Sequence, residues 1–158
     1  NVQQIQATSV AFAAILADGS VVTWGHSDCG GDSSAVRDQL KNVKQIQSGE
    51  RAFAAILADG SVVTWGDPRL GGDSSAVQDQ LRNVQQIQAT LVAFAAILAD
   101  GSVITWGAPT QGGDSSAVRD QLKNVKQIQA TASAFAAISE DGRVAAWGHP
   151  DYGGGAVF

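Results

Sequence analysis

His26-Ser27-Asp28 and His149-Pro150-Asp151 are the two places where this sequence sets an imidazole beside a carboxylate, and Cys29 adds a thiol to the first. Imidazole, carboxylate and thiolate are the side chains that ligate zinc and its neighbours. The two strings occupy the same position in the first and last copies of an internal repeat. A closed ring would bring their loops together, and a metal-dependent enzyme built on the His-x-Asp loops is one reading. The preferred reading is solvated loop residues. With 2 histidines and 1 cysteine in 158 residues, the chain is poor in the clustered groups that catalysis needs. No catalytic residue, metal ligand or cofactor site is assigned, and the chain is read as not an enzyme.

Other recurring residues have simpler explanations. Asp18, Asp59, Asp100 and Asp141 would form a carboxylate ring, but each precedes a glycine, as turn aspartates do. Ser33-Ser34 and its copies have no histidine at a matching position, which removes nucleophilic catalysis. Trp24, Trp65, Trp106 and Trp147 would make a stacking platform for bases or sugars. Their equal spacing at a strand end favours packing between repeated units.

These residues are positioned by a 41-residue repeat, seen in Phe12, Phe53, Phe94 and Phe135 as well as in the tryptophans. The units run approximately 1-41, 42-82, 83-123 and 124-158, and the chain is read as a single repeat domain, 1-158. AFAAILADGSVVTWG (Ala11 to Gly25) predicts a hairpin with a type I′ turn at Asp18-Gly19. Both faces of its first arm are apolar, so neighbours must cover both. Val2 to Gln6 predicts a preceding strand. For GGDSSAVRDQLKN (Gly30 to Asn42), Asp32 or Ser33 could cap a short helix. The preferred reading is a short outer strand at Ser34 to Val36 and a turn over Asp38 to Asn42. Repeated short strands at this period predict an all-β, propeller-type array of four antiparallel blades. A β-solenoid is the competitor.

Composition removes several classes. A net charge of −5 argues against nucleic acid as a partner. No apolar run reaches membrane-span length, and the start, NVQQIQATSV, lacks the features of a signal peptide. One cysteine leaves no internal disulfide framework.

Ala55-Ile56-Leu57, Asp59-Gly60, Val62-Val63, Trp65-Gly66 and Gly71-Gly72 together resemble repeats of the regulator-of-chromosome-condensation type. The resemblance covers essentially the whole chain. The short units look like the compact blades of the secreted bacterial propeller that inhibits β-lactamases. The stretch ATSVAFAA lacks the Gly-x-x-His common in the family, and Gly-Gly-Asp stands in place of its Gly-Gln-Leu-Gly turn. The resemblance implies a propeller fold, usually closed by about seven blades. An open arc, or part of a larger propeller, is therefore expected over a closed four-blade ring. The uncovered end predicts self-association, a partner chain or flanking blades. Ser139 and Glu140 are expected to solvate the far end.

Copies differ mainly at two stretches. One follows Trp-Gly: HSDC, DPRL, APTQ and HPDY. The other precedes the apolar strand: TSV, GER, TLV and TAS. In an up-and-down meander both fall at one end. A constant frame displaying varied loops suits recognition. Leu70, Leu91, Arg51, Arg69, Gln111 and Tyr152 are the expected partner-binding residues. The leading reading is a non-enzymatic protein-interaction or structural module, within a larger assembly or self-associating. An enzyme-inhibiting propeller is the alternative.

Overall fold

In the computed structural model, which describes residues 1–155, four three-stranded antiparallel sheets follow one another along the chain. Blade 1 holds β1 (Val2–Ala7), β2 (Ala11–Leu16) and β3 (Val21–Gly25). Blade 2 holds β4 (Val43–Ser48), β5 (Ala52–Leu57) and β6 (Val62–Gly66). Blade 3 holds β7 (Val84–Ala89), β8 (Ala93–Leu98) and β9 (Val103–Gly107), and blade 4 holds β10 (Val125–Ala130), β11 (Ala134–Ser139) and β12 (Val144–Gly148). The first strands of successive blades lie side by side, and the sheets form an open array that does not close into a ring.

The two-sided apolar strand is the structural key. In β5, Phe53 and Ala55 face back into the core shared with blade 1. Ala52, Ala54 and Ile56 face forward into the core shared with blade 3. Alanine on the forward face leaves room for the large residues of the next blade. Each such core combines small residues of one blade with Val43, Ile46, Phe53, Val63 and Trp65 of the next. Burying one side chain of this size contributes roughly 1.5–3 kcal/mol, so the faces between blades hold the array together.

Val43 and Ile46 lie three residues apart, a spacing that puts them on opposite faces of a regular strand. They share one core because the register shifts between Val43 and Gln45, making Lys44 an extra residue. The same shift recurs in β1, β7 and β10.

Two local expectations are corrected. The hairpin turn is not type I′, which needs positive φ at both Asp18 and Gly19. Only Gly19 has it, at +83°. Gly19 N–H donates to Leu16 O at 2.9 Å, so Ala17 and Asp18 form the corner and the glycine follows it. The Asp18 carboxylate fixes this shape by accepting from Ser20 N at 2.9 Å and Ser20 Oγ at 2.6 Å.

The Gly-Gly-Asp segment also differs. Ser34–Gln39 is a 3-10 helix, not an outer strand. Asp32 accepts from Ser34 N at 2.9 Å and starts the tight winding. Leu40 then drops into the core between blades 1 and 2, with Val36 packed against it. An outer strand would have left Leu40 without that seat.

The tryptophans are buried in three of the four blades. Trp65, Trp106 and Trp147 are covered by the glycines of the preceding blade, while Trp24, on the outer face of blade 1, is 45% exposed. Ser139 is buried and does not solvate the far end; Glu140 is exposed there.

Candidate protein-binding face

Both variable stretches lie at one end of the array, joined by hydrogen bonds. Thr8 Oγ1 donates to Cys29 O at 3.1 Å, Thr90 Oγ1 to Gln111 O at 3.1 Å, and Thr131 Oγ1 to Tyr152 O at 3.0 Å. In blade 2 the matching residue is Gly49, where a Cβ would stand 2.9 Å from Leu91 O.

The loops are also linked to one another. Ser9 N–H donates to Glu50 O at 2.8 Å, Glu50 N–H to Leu91 O at 2.6 Å, and Leu91 N–H to Ala132 O at 2.9 Å. These four residues occupy one repeat position, so the loops form a backbone-bonded rail across all four blades. The rail borders an open depression of about 590 Å³. Main-chain bonding leaves the side chains free to vary.

Each loop after Trp-Gly makes a one-turn 3-10 helix with a left-handed glycine at its end. In blades 1, 2 and 4 the side chain of the residue before the turn caps it, while Ala108 in blade 3 makes no such bond. Asp67 Oδ1 accepts from Arg69 N at 3.0 Å, and His26 and His149 use Nδ1 to accept from Asp28 N and Asp151 N at 3.3 and 3.2 Å. This explains the His-x-Asp strings. The imidazole replaces an aspartate as a cap, and the N–H it accepts belongs to the aspartate of the string. The open array does not make blades 1 and 4 neighbours, so the premise of the metal reading fails. Among the described residues, no three His, Cys, Asp or Glu side chains converge on a metal position.

The other sequence candidates are structural. The Asp-Gly turns sit at the opposite end of the strands, each holding the serine two residues on; in blade 4, Asp141 holds Arg143 instead. Their serine hydrogen bonds keep Asp18, Asp59 and Asp100 below the usual carboxylate range. Ser33 Oγ lies 2.9 Å from Thr23 Oγ1, an internal hydroxyl pair.

All six expected binding residues stand at the variable end, in different states. Leu91 and Tyr152 are about half exposed, and Tyr152 meets the His149 ring edge-on at 5.2 Å. Arg51 is exposed. Arg69 is also exposed, but its fork rests on Asp67 at 3.3–3.4 Å, and this contact holds the Asp67 carboxyl below its ordinary range. Leu70 and Gln111 are half-buried, and Gln111 Oε1 accepts from Ser133 Oγ at 3.2 Å. Sequence reasoning missed Val10, an exposed apolar residue inside one of the variable triplets. Its apolar type among polar neighbours was the available signal.

No protein-family model matches the sequence, and no curated protein matches it. Solved structures do. Prp20p of Saccharomyces cerevisiae, described with its binding to Gsp1p and histones, aligns at TM-score 0.65 and 17% identity over 93% of this chain and 44% of its own. The receptor-kinase ectodomain of Arabidopsis thaliana ACR4 aligns at 0.60 and 19% identity, over 94% and 51% of the two chains. The computationally designed Ika4 protein aligns at 0.51 and 16% identity, over 94% and 91%. The chain thus spans about half the length of the two natural proteins. Three-stranded blades, packed by Trp and Phe against the glycines of the preceding blade, give this chain the fold of an RCC1-like β-propeller array.

Proposed function

We propose that the chain is a protein-interaction module whose docking face is the variable end. One observation carries this reading: the side chains that differ between blades gather on a frame of repeated main-chain hydrogen bonds, while near-constant Asp-Gly turns build the other end. Leu91 and Tyr152 supply apolar anchors, with Arg51 and Arg69 at the rim. The comparison proteins add support, since yeast RCC1 (Prp20) is seen bound to Kap60 and Prp20p is described with Gsp1p and histones. The net charge of −5 favours a protein over the phosphate backbone of a nucleic acid.

The test is site-specific photo-crosslinking in an extract of the source organism. A crosslinker replaces Leu91 or Tyr152 at one end, or Ser61 at the other. The proposal expects one protein adduct from the variable end, lost on adding Arg51→Glu. An adduct formed equally well from position 61 overturns it.

A further inference from the structure

The end faces of the array are the two halves of an interface that the chain already makes three times. Val2, Ile5, Phe12, Val22 and Trp24 are 45–55% exposed on blade 1. Their counterparts in blade 2 (Val43, Ile46, Phe53, Val63 and Trp65) are 0–6% exposed. Among the described residues, the matching seat stands open on blade 4. Ala136 is exposed there, whereas Ala13, Ala54 and Ala95 at the same position are completely covered.

The polar groups match as well. Trp65, Trp106 and Trp147 each donate Nε1–H to a glycine carbonyl of the preceding blade at 3.1 Å: Gly30, Gly71 and Gly112. The series leaves the Trp24 indole at one end and the Gly153 carbonyl at the other. Val43, Val84 and Val125 N–H donate to Gly19, Gly60 and Gly101 O at 2.9 Å, which leaves Val2 N–H and Gly142 O. Along the loop rail, Ala132 N–H and Ser9 O are the corresponding pair. Gly30, Gly71 and Gly112 closely approach the phenylalanine ring of the next blade, but no atom of the described residues lies within 4 Å of the Gly153 Cβ position. Gly142, equally free, lines an open hollow of about 900 Å³, whereas Gly19 meets Asn42 of the next unit.

We propose that the blade 1 face docks on the blade 4 face of a second copy of this chain, repeating the contact between adjacent blades. The occupant follows from continuity with that contact: the exposed face carries the residue types that blade 4 is shaped to receive. Trp24 Nε1–H then donates to Gly153 O, Val2 N–H to Gly142 O, and Ala132 N–H to Ser9 O of the neighbouring copy. The joint is heterologous. Two copies that meet at both ends close into a dimer and leave no free face.

Sedimentation equilibrium across a concentration series tests this, with Trp24→Arg and Ala136→Arg as variants. Both positions are solvent-exposed in the single chain, so each variant should keep the parent's far-UV spectrum and, at dilutions where all three are monomeric, its urea midpoint. The parent is expected to form a reversible species of twice 16.2 kDa. Each variant alone is expected to weaken association by about 30-fold or more, the effect of losing a central aromatic contact. An equimolar mixture should regain a 1:1 complex through the one joint that neither substitution touches. A parent that stays monomeric overturns the proposal. So does an Ala136→Arg variant that dimerises like the parent, which would mean that blade 1 faces pair with each other.

Discussion

Gly71→Ala and Gly153→Ala make a paired measurement of what a glycine does between blades. The two residues share one left-handed conformation, with φ +106° and +107°. Alanine there costs about 1–2 kcal/mol of backbone strain at either site. At Gly71, however, the new methyl would lie 2.5 Å from two ring carbons of Phe94, a side chain with no exposed surface. A ring so enclosed cannot step aside without disturbing Trp106, stacked on it at 5.5 Å. Overpacking of this kind costs about 1–3 kcal/mol more. Among the described residues, nothing lies within 4 Å of the Gly153 Cβ position. Gly71→Ala should therefore lose about 2–5 kcal/mol in total and Gly153→Ala about 1–2 kcal/mol. Urea unfolding followed by tryptophan fluorescence measures both, in the Trp24→Arg background so that association between copies does not contribute. Equal losses at the two sites would refute the reasoning, because strain alone would then account for both.

The remaining predictions use the same comparison of equivalent positions. In the Ala136→Arg background, where copies do not associate, Trp65→Phe removes a buried hydrogen bond to Gly30 O and part of a packed ring and should lower the urea midpoint clearly, while Trp24→Phe should leave it almost unchanged. Asp59 has its folded-state pKa lowered, chiefly by the Ser61 hydroxyl and then by Ser61 N–H, as have Asp18 and Asp100 by their own serines. Stability from such groups is present above the unfolded aspartate pKa of about 3.9 and is lost as pH falls through the lower folded value. The urea midpoint should therefore drop below about pH 4, and replacing all three by asparagine should flatten that drop. Cys29 is buried, so maleimide labelling of the native chain should be slow and become fast in denaturant.

The repeat made most of the architecture legible. A strand apolar on both faces has one consistent use in a row of sheets, to bury itself in the core on either side. β5 does this with Phe53 and Ala55 backwards and Ala54 and Ile56 forwards. What sequence reasoning misread are the places where a side chain rewrites the backbone locally. Asp18 Oδ1 accepts from both the N–H and the hydroxyl of Ser20 and moves the corner of the hairpin one residue back. Asp32 does the same for Ser34 and turns an apparent strand into a 3-10 helix. Asx hydrogen bonds compete with the sheet ladder, and their outcome depends on where Leu40 has room to go, which is a tertiary fact. At the candidate face, the two variable stretches were legible as one surface, since a meander fixes which connections share an end. Arg69 is different: its contact with Asp67 depends on the 3-10 turn that follows the strand, and the string DPRL does not show that turn.

Near-identity of the units also explains why the end faces are so complete. Each blade must present a plug to one neighbour and a seat to the other, and both are written into the same 41 residues. The sequence therefore cannot improve the three inner joints without copying the improvement to the outer faces, unless a terminal unit diverges. Blade 1 has not diverged at this face: Val2, Ile5, Phe12, Val22 and Trp24 match blade 2 residue for residue. An end face under pressure to stay solvated acquires charges, because an exposed apolar edge is an association site. No charged residue has replaced these five, although Lys44 and Lys126 show that lysine is accepted one residue from the core valine, at the bulge. Retention of the apolar set is what the proposed joint between copies requires of this face. Blade 4 meets the same requirement from the other side, since Ala136 keeps the small side chain that the proposed incoming Phe-Trp pair needs.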